Sequence, residues 1–275
     1  MYSGYKTRGL LLLITVILIQ GCVNKEGGRE SLTIAGSTTV QPIVTKAVEV
    51  YGEDNPDIRI GVQGGGSGTG IRMVGEGSVD IGASSRELKD AELLKHSDLV
   101  VHSVAIDCIT IVVHPSNQIK DLSTAQIRDI FAGKIGNFRD VGGPDRPIVL
   151  AIREDGSGTR STFEGLVMED VEVSNSALQK PASGAIRFTV AGNENMIGYL
   201  GIGYLDETVK AISVDGVPPS EENIRGGRYP ISRELYLITN GEPRGEAKNF
   251  IDFILSEDGQ EIVREEGVIG VTENA

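Results

Sequence analysis

From Leu32 onward the chain alternates short β-branched runs with segments of helical period, and this alternation restricts its fold more than any other feature. LTIAG (32–36) reads as a strand. In the VQPIVTKAVEVYGEDNP that follows, Val40, Ile43, Val44, Ala47 and Val48 keep the i, i+3, i+4, i+7, i+8 spacing of one buried helix face. Pro42 falls in its first turn, where a missing N–H costs nothing. Strand IRIGVQG (58–64), helix GIRMVGEG, strand DIGASS (80–85), helix LKDAELLKH and strand VVHSVAIDCITIVVHP (100–115) continue the series. DLSTAQIRDIFAG predicts a helix capped by Ser123 or Thr124, with Ile127, Ile130 and Phe131 inward. PIVLAIREDG predicts a strand and GTRSTFEGLVM a helix. AIRFTV leads into NMIGYLGIGYL, a strand and turn region, and RYPISRELYLIT (228–239) is a second long strand-like run. GEAKNFIDFILSEDGQEIVREEG closes the chain as an amphipathic helix and its continuation. Strands and helices alternating at this spacing imply a mainly parallel sheet with helices on both faces.

Two of the strand-like runs, 100–115 and 228–239, are long enough to pass from one lobe to another. If both cross, residues 31–109 with 235–275 form lobe I and residues 110–234 form lobe II. The expected fold is therefore α/β and two-lobed, with two crossing strands as a hinge and a cleft between the lobes.

The first residues, MYSGYKTRGLLLLITVILIQGC, place Lys6 and Arg8 before an apolar run from Leu10 to Ile19 that is short for a bilayer span. A small residue, Gly21, then precedes Cys22. This order resembles a lipoprotein signal peptide (1–21) cut before a lipid-carrying Cys22. The alternatives are an uncleaved anchor, or an ordinary signal with an incidental cysteine. VNKEGGRES then serves as a polar tether, giving a tether segment of 22–30. A formal net charge of −13 argues against a nucleic-acid partner and against docking on an anionic membrane through basic residues. Attachment to the membrane is expected only through the lipid. The other of the two cysteines, Cys108, lies in VAIDCITIVV and reads as a small buried hydrophobe. The three histidines, His96, His102 and His114, lack ligand spacing, so no metal site and no cofactor is expected.

The chemistry is concentrated in three loops: GSTTVQPIV (36–44), QGGGSGTGIRMV (63–74) and REDGSGTRSTF (153–163). Each ends a strand and opens a helix, where unpaired N–H groups and the helix dipole attract anions. Glycines admit a ligand close to the backbone, and Ser/Thr hydroxyls add uncharged donors. For one loop alone, Ser37, Ser67 or Ser157 acting as a helix cap explains the pattern as well. Three loops together, and the planar donor fork of Arg153, point to a caged phosphate or sulfate. Arg153 could instead pair with Glu154 or Asp155. GGGSGTG lacks the lysine of a nucleotide-binding P-loop, and Thr69 stands where a nucleophile elbow needs glycine. No base stands out for a serine nucleophile, so binding rather than enzymatic turnover is expected.

GSTTVQPI, QGGGSGTGI, DIGASSRELK, DLSTAQIRDIFAGKIGNF, REDGSGTRSTF, NENMIGYLGIGY and YPISRELYLI together resemble the extracytoplasmic phosphate-binding proteins of Pst-type ABC phosphate transporters. That family has the type II periplasmic-binding-protein fold, and the likeness runs from residue 31 to the C-terminus. The resemblance implies phosphate bound by Thr38 and Thr39 of the first loop, Ser67 of the second, and Arg153, Ser157, Gly158 and Thr159 of the third. It puts Ser85 where the well-known form has an aspartate that accepts the phosphate proton. Asp155 is one candidate to replace that acceptor. Ser37, Ser84 and Arg86 are weaker candidates for the site, and Arg86 could equally pair with Glu87 or a neighbouring acid. The implied function is high-affinity uptake of inorganic phosphate, handed to ABC permease transmembrane subunits by a monomeric receptor on the outer face of the cell membrane. The alternatives are the same fold holding sulfate, molybdate or tungstate, and a phosphate-handling hydrolase.

Overall fold

The computed structural model of the protein describes residues 31–272. In chain order its elements are β1 (Ser31–Gly36), α1 (Gln41–Asp54), β2 (Arg59–Gly64), α2 (Ser67–Gly75), β3 (Ile81–Ser84), α3 (Asp90–Lys95) and β4 (Leu99–Val113). Then come β5 (Asp121–Leu122), α4 (Thr124–Phe131), β6 (Val149–Arg153), α5 (Gly158–Phe163), β7 (Leu178–Lys180), α6 (Ser183–Ala191) and β8 (Met196–Gly201). The chain ends with β9 (Lys210–Val214), α7 (Glu221–Arg225), β10 (Ser232–Asn240), α8 (Gly245–Leu255), α9 (Glu257–Glu265) and β11 (Ile269–Gly270).

Local rules account for many of these bounds. Pro42 occupies the first turn of α1, whose buried face holds Ile43, Val44, Ala47 and Tyr51. Ser123 and Gln126 form a reciprocal capping box on α4, which buries Ile127, Ile130 and Phe131. The C-terminal helical run breaks at Ser256, whose hydroxyl accepts from Gly259 N–H and so starts α9. AIRFTV forms most of α6, a helix rather than the approach to a strand, because Ile186 and Val190 share one buried face one turn apart. The run 228–239 is a strand only from Ser232, since Tyr229 and Ile231 turn into the core first.

The strands follow the order β2-β1-β3-β10-β4-β8-β6-β7. β1 pairs in parallel with β2 and β3, and β6 pairs in parallel with β7 and β8, so each lobe has a parallel trio. β10 enters the first lobe antiparallel between β3 and β4. β4 serves both lobes: its residues 99–108 pair with β10, and its residues 109–113 pair with β8. The fold is α/β and two-lobed, with β4 and β10 as its crossing strands.

Each lobe has its own core. Leu32, Ile34, Val44, Leu235, Phe250 and Ile254 fill one, and Ile111, Phe131, Phe163, Ile197, Tyr199 and Ile212 fill the other. In the second core Phe163 stacks on Tyr199 at 4.2 Å between ring centres, and Phe131 meets Phe163 at 4.8 Å. Each such ring buries enough apolar surface to contribute on the order of 2–3 kcal/mol. The Tyr199 hydroxyl, at the edge of this stack, accepts from the backbone N–H of Arg153 at 3.3 Å. Packing in the second lobe thus sets the height of the arginine at the head of the third loop.

Candidate functional site

The three glycine–hydroxyl loops meet where the parallel trios of the two lobes face each other. Gly66, at φ +83°, turns the chain from β2 into α2, a backbone conformation that a side chain would resist. The turn carries the next loop segment against the opposite lobe, where Gly68 N–H donates to Gly156 O at 3.0 Å. Gly158 faces Ser67 and Ser85 so closely that an added Cβ would lie 2.6 Å from Ser85 Oγ and nearer still to Ser67 Oγ. From the first loop, Thr39 Oγ1 reaches across to Thr159 Oγ1 at 3.0 Å. Each of these contacts joins the two lobes.

The individual groups play distinct parts. Thr38 Oγ1 is buried and has no hydrogen-bond partner among the described residues. Its backbone carbonyl accepts from Tyr204 O–H at 2.6 Å, and burial pushes that phenol above its ordinary pKa. Ser37 Oγ takes the Thr39 N–H at 3.2 Å, which fixes the turn rather than capping α1. Ser67 accepts from Ser85 N–H at 3.0 Å, and the two hydroxyls lie 3.4 Å apart. Ser157 caps α5 by accepting from Arg160 N–H at 3.3 Å. Of the three loop serines, therefore, Ser157 alone caps the helix that follows it.

Arg153 is only 1% exposed. Its Nε and Nη2 donate to the two oxygens of Glu154 at 3.0 and 2.8 Å, and its Nη1 donates to Ser183 Oγ at 2.9 Å. Arg153 thus has the acidic partner Glu154, and the pair's guanidinium is buried rather than on the surface. Arg86 is turned to Glu92, donating from Nη1 and Nη2 at 2.8 and 2.7 Å and from Nη1 to the Glu87 carbonyl at 2.7 Å. Ser84 Oγ donates to Arg86 O at 2.7 Å, which bends the chain away after β3. Asp155 does not reach the site: it is exposed and paired with Arg160 at 2.6 Å, so it cannot serve as a replacement acceptor there. Cys22 lies outside the described residues.

Sequence reasoning missed several residues of this region. Asp107 and Arg233 form a buried pair beneath the loops, with Arg233 Nη1 also donating to Ser85 O at 3.2 Å and Ile202 N–H donating to Asp107 Oδ1 at 2.9 Å. An aspartate inside the apolar run VAIDCITIVV was the available signal. Ser183 was also missed, although KPASGAI repeats, at lower glycine content, the strand–Ser-Gly–helix order of the second and third loops. Tyr204 and Tyr199 offered no local signal, since only tertiary packing brings them to the loops.

Electrostatically, the region holds three arginine–carboxylate pairs: Arg153–Glu154, Arg233–Asp107 and Arg86–Glu92. Around these matched pairs the loops present hydroxyl and amide donors at low exposure, a setting in which each donor interacts strongly with an anion. Such a surface can hold a small oxyanion by many uncharged hydrogen bonds.

Comparison with known proteins gives a consistent picture. A family profile described as the PBP superfamily domain matches residues 23–258. The phosphate-binding protein PstS of Bacillus subtilis (strain 168) is 41% identical over 251 residues, covering 90% of this chain and 83% of that protein. PstS of Borreliella burgdorferi is 27% identical, with 95% and 97% covered. Among solved structures, a phosphate ABC transporter substrate-binding protein with bound phosphate from Clostridium perfringens superposes with a TM-score of 0.85 at 41% identity, covering 88% of this chain and 100% of that one. An ABC-type phosphate transport receptor from Vibrio cholerae superposes with a TM-score of 0.73 at 33% identity, covering 86% of this chain and 99% of that one. With its loops, crossing strands and sequence all in agreement, the chain belongs to the PBP superfamily and, within it, to the family of the phosphate-binding protein PstS.

Proposed function

We propose that this chain binds inorganic phosphate between its lobes and delivers it to the transmembrane subunits of an ABC permease. The observation that carries this reading is the convergence of Thr38, Thr39, Ser67, Ser85, Arg153 and Thr159 from both lobes, with the neighbouring acids Glu154 and Asp107 each occupied by an arginine. Ser157, Gly158 and their backbone N–H groups complete the cage. Lobe I comprises 31–109 with 235–275 and lobe II 110–234, and the two hinge about β4 and β10. Open lobes admit the anion, the anion bridges loops from both sides, and the closed form docks on the permease. Relatives named for phosphate binding and phosphate transport support the choice of anion.

The chain acts as a binder and not as a catalyst. It acts as a monomer, held at the outer face of the cell membrane by a lipid on Cys22 after loss of residues 1–21, with 22–30 as the tether. Mass spectrometry of the membrane-extracted protein checks the anchor: a lipid-sized increment on a peptide starting at Cys22 is expected, and a free or absent Cys22 overturns it.

Calorimetric titration with phosphate, sulfate and molybdate at pH values on either side of the second phosphate ionisation tests the main reading. Saturable binding of phosphate at both pH values is expected. Preference for sulfate or molybdate would replace phosphate by that anion, and steady turnover of a phosphate ester would overturn the binding role.

A further inference from the structure

Ser183 stands outside the three loops, yet it occupies the middle of the hydrogen-bond chain that joins the lobes. Its side chain is buried, with the residue 1% exposed, and its Oγ receives Arg153 Nη1 at 2.9 Å. The same Oγ lies 3.3 Å from Thr39 Oγ1, which is 3.0 Å from Thr159 Oγ1. Arg153, Ser183 and Thr159 come from the second lobe and Thr39 from the first.

The proton inventory of this chain is informative. Each hydroxyl has one proton, and Nη1 of arginine has two. Three contacts link the four groups, and each consumes one proton, so two of the five protons remain unspent among residues no more than 5% exposed. Thr38 Oγ1, on the residue before Thr39, is buried without a partner among the described residues and adds another. A buried donor left unspent is costly unless an acceptor meets it, and an ionised oxyanion is acceptor-only on most of its oxygens. Ser183 is well suited to be one of the donors. The Arg153 N–H occupies one of its lone pairs and leaves its proton free. The alternative partner, Thr39, lies at 3.3 Å, long for an O–H···O bond, so a charged oxygen competes well for that proton. Ser183 also opens a nine-residue helix whose N-cap, Ala182, supplies no side-chain cap, so the dipole at this end favours negative charge.

Resting on the phosphate reading of the site, we propose that Ser183 is a further anion ligand. Its Oγ–H donates to an oxygen of the bound phosphate while its lone pair holds Arg153 Nη1 in place. The residue thus contacts the anion from the second lobe through an element separate from the Arg153–Thr159 loop.

The test is phosphate titration calorimetry on the full protein and its variants, preceded by thermal melts to establish folding. Ser183→Ala is expected to weaken phosphate binding about tenfold to a hundredfold, the loss typical of one hydrogen bond to a charged group. Ser183→Thr, which keeps the hydroxyl, recovers most of it. Should the alanine variant melt early, Ser183→Cys, similar in volume but a weak donor, replaces it. A second arm repeats the change in an Arg153→Lys background. A loss of at least fivefold there supports direct contact, and a smaller loss or none means that Ser183 only orients the guanidinium, which overturns the proposal. Equal affinity of Ser183→Ala and the unsubstituted protein overturns it while leaving the phosphate reading intact. Failure of the unsubstituted protein to bind phosphate overturns both.

Discussion

Asp107 and Arg233 sit opposite each other in the antiparallel pairing of β4 with β10, and one carboxylate oxygen of Asp107 receives both Nε and Nη2 of Arg233, at 2.9 and 2.7 Å. The two side chains are 0% and 4% exposed. The pair also touches both walls of the cleft, through Ser85 O on one side and Ile202 N–H on the other. This ion pair, on the crossing strands themselves, thus links backbone on both sides of the loops.

Breaking that pair leaves a buried charge without its partner. Asp107→Ala is expected to lower stability by about 3–5 kcal/mol, whereas a double replacement by apolar residues of similar volume recovers most of the loss. Urea unfolding with an unchanged m-value checks this. A loss below about 1 kcal/mol would show that water reaches the pair.

Arg153 supplies the charged fork of the third loop, and its height is set from below by Tyr199. Arg153→Ala is expected to weaken phosphate binding at least tenfold with the fold intact. Arg153→Lys recovers little of this, because an ammonium cannot serve Glu154 and Ser183 with the same planar geometry. Calorimetry with a far-ultraviolet circular dichroism control measures both, and unchanged affinity in the alanine variant would remove Arg153 from the site.

Gly158 is the point where the third loop meets Ser67 and Ser85 of the facing lobe. A methyl group there prevents the close approach of the lobes without disturbing either core. Gly158→Ala is expected to lower phosphate affinity at least a hundredfold, with a melting temperature within a few degrees of the unsubstituted protein. Small-angle scattering with saturating phosphate is expected to report a larger radius of gyration for the variant, and an equal radius would contradict the reading.

Glu92 carries a pH dependence of defined sign. Burial by itself raises its carboxyl, but hydrogen bonds from Arg86 and from Lys89 N–H outweigh that and hold it below the usual range. A carboxyl lowered in the folded state stabilises the protein above its unfolded pKa of about 4.3, and this contribution disappears as pH falls through the folded value. The stability difference between the unsubstituted protein and Glu92→Gln is therefore expected to be full near neutral pH and to shrink as pH falls below the unfolded value and through the lower folded one. A difference that persists in acid would assign the effect of the substitution to packing instead.

Sequence patterns carried much of this architecture because their causes are local. A capping serine, a proline in a first turn and a buried stripe at helical spacing each act within a few residues, and α1 and α4 formed accordingly. The glycine–hydroxyl loops were legible for the same reason, since Gly66 needs a positive φ to turn β2 into α2. What local pattern could not supply was partnership across the fold. Whether Arg86 faced an anion or an acid depended on Glu92, six residues away and brought back by the bend at Ser84. Ser183 carries a readable Ser-Gly signal but has glycine on one side only, where Ser67 and Ser157 have it on both. Asp107 owed its meaning to Arg233, more than a hundred residues later in the chain.

The insertion of β10 between β3 and β4 also has a consequence for how the chain is made. The strands of the second lobe, from the far half of β4 to β9, are all present once residue 214 has been synthesised. The first lobe begins earlier in the sequence, yet its sheet stays divided until residues 232–240 arrive to join the two parts. The lobe written first is thus the lobe completed last, and until then the edges of β3 and β4 stand open to non-native pairing.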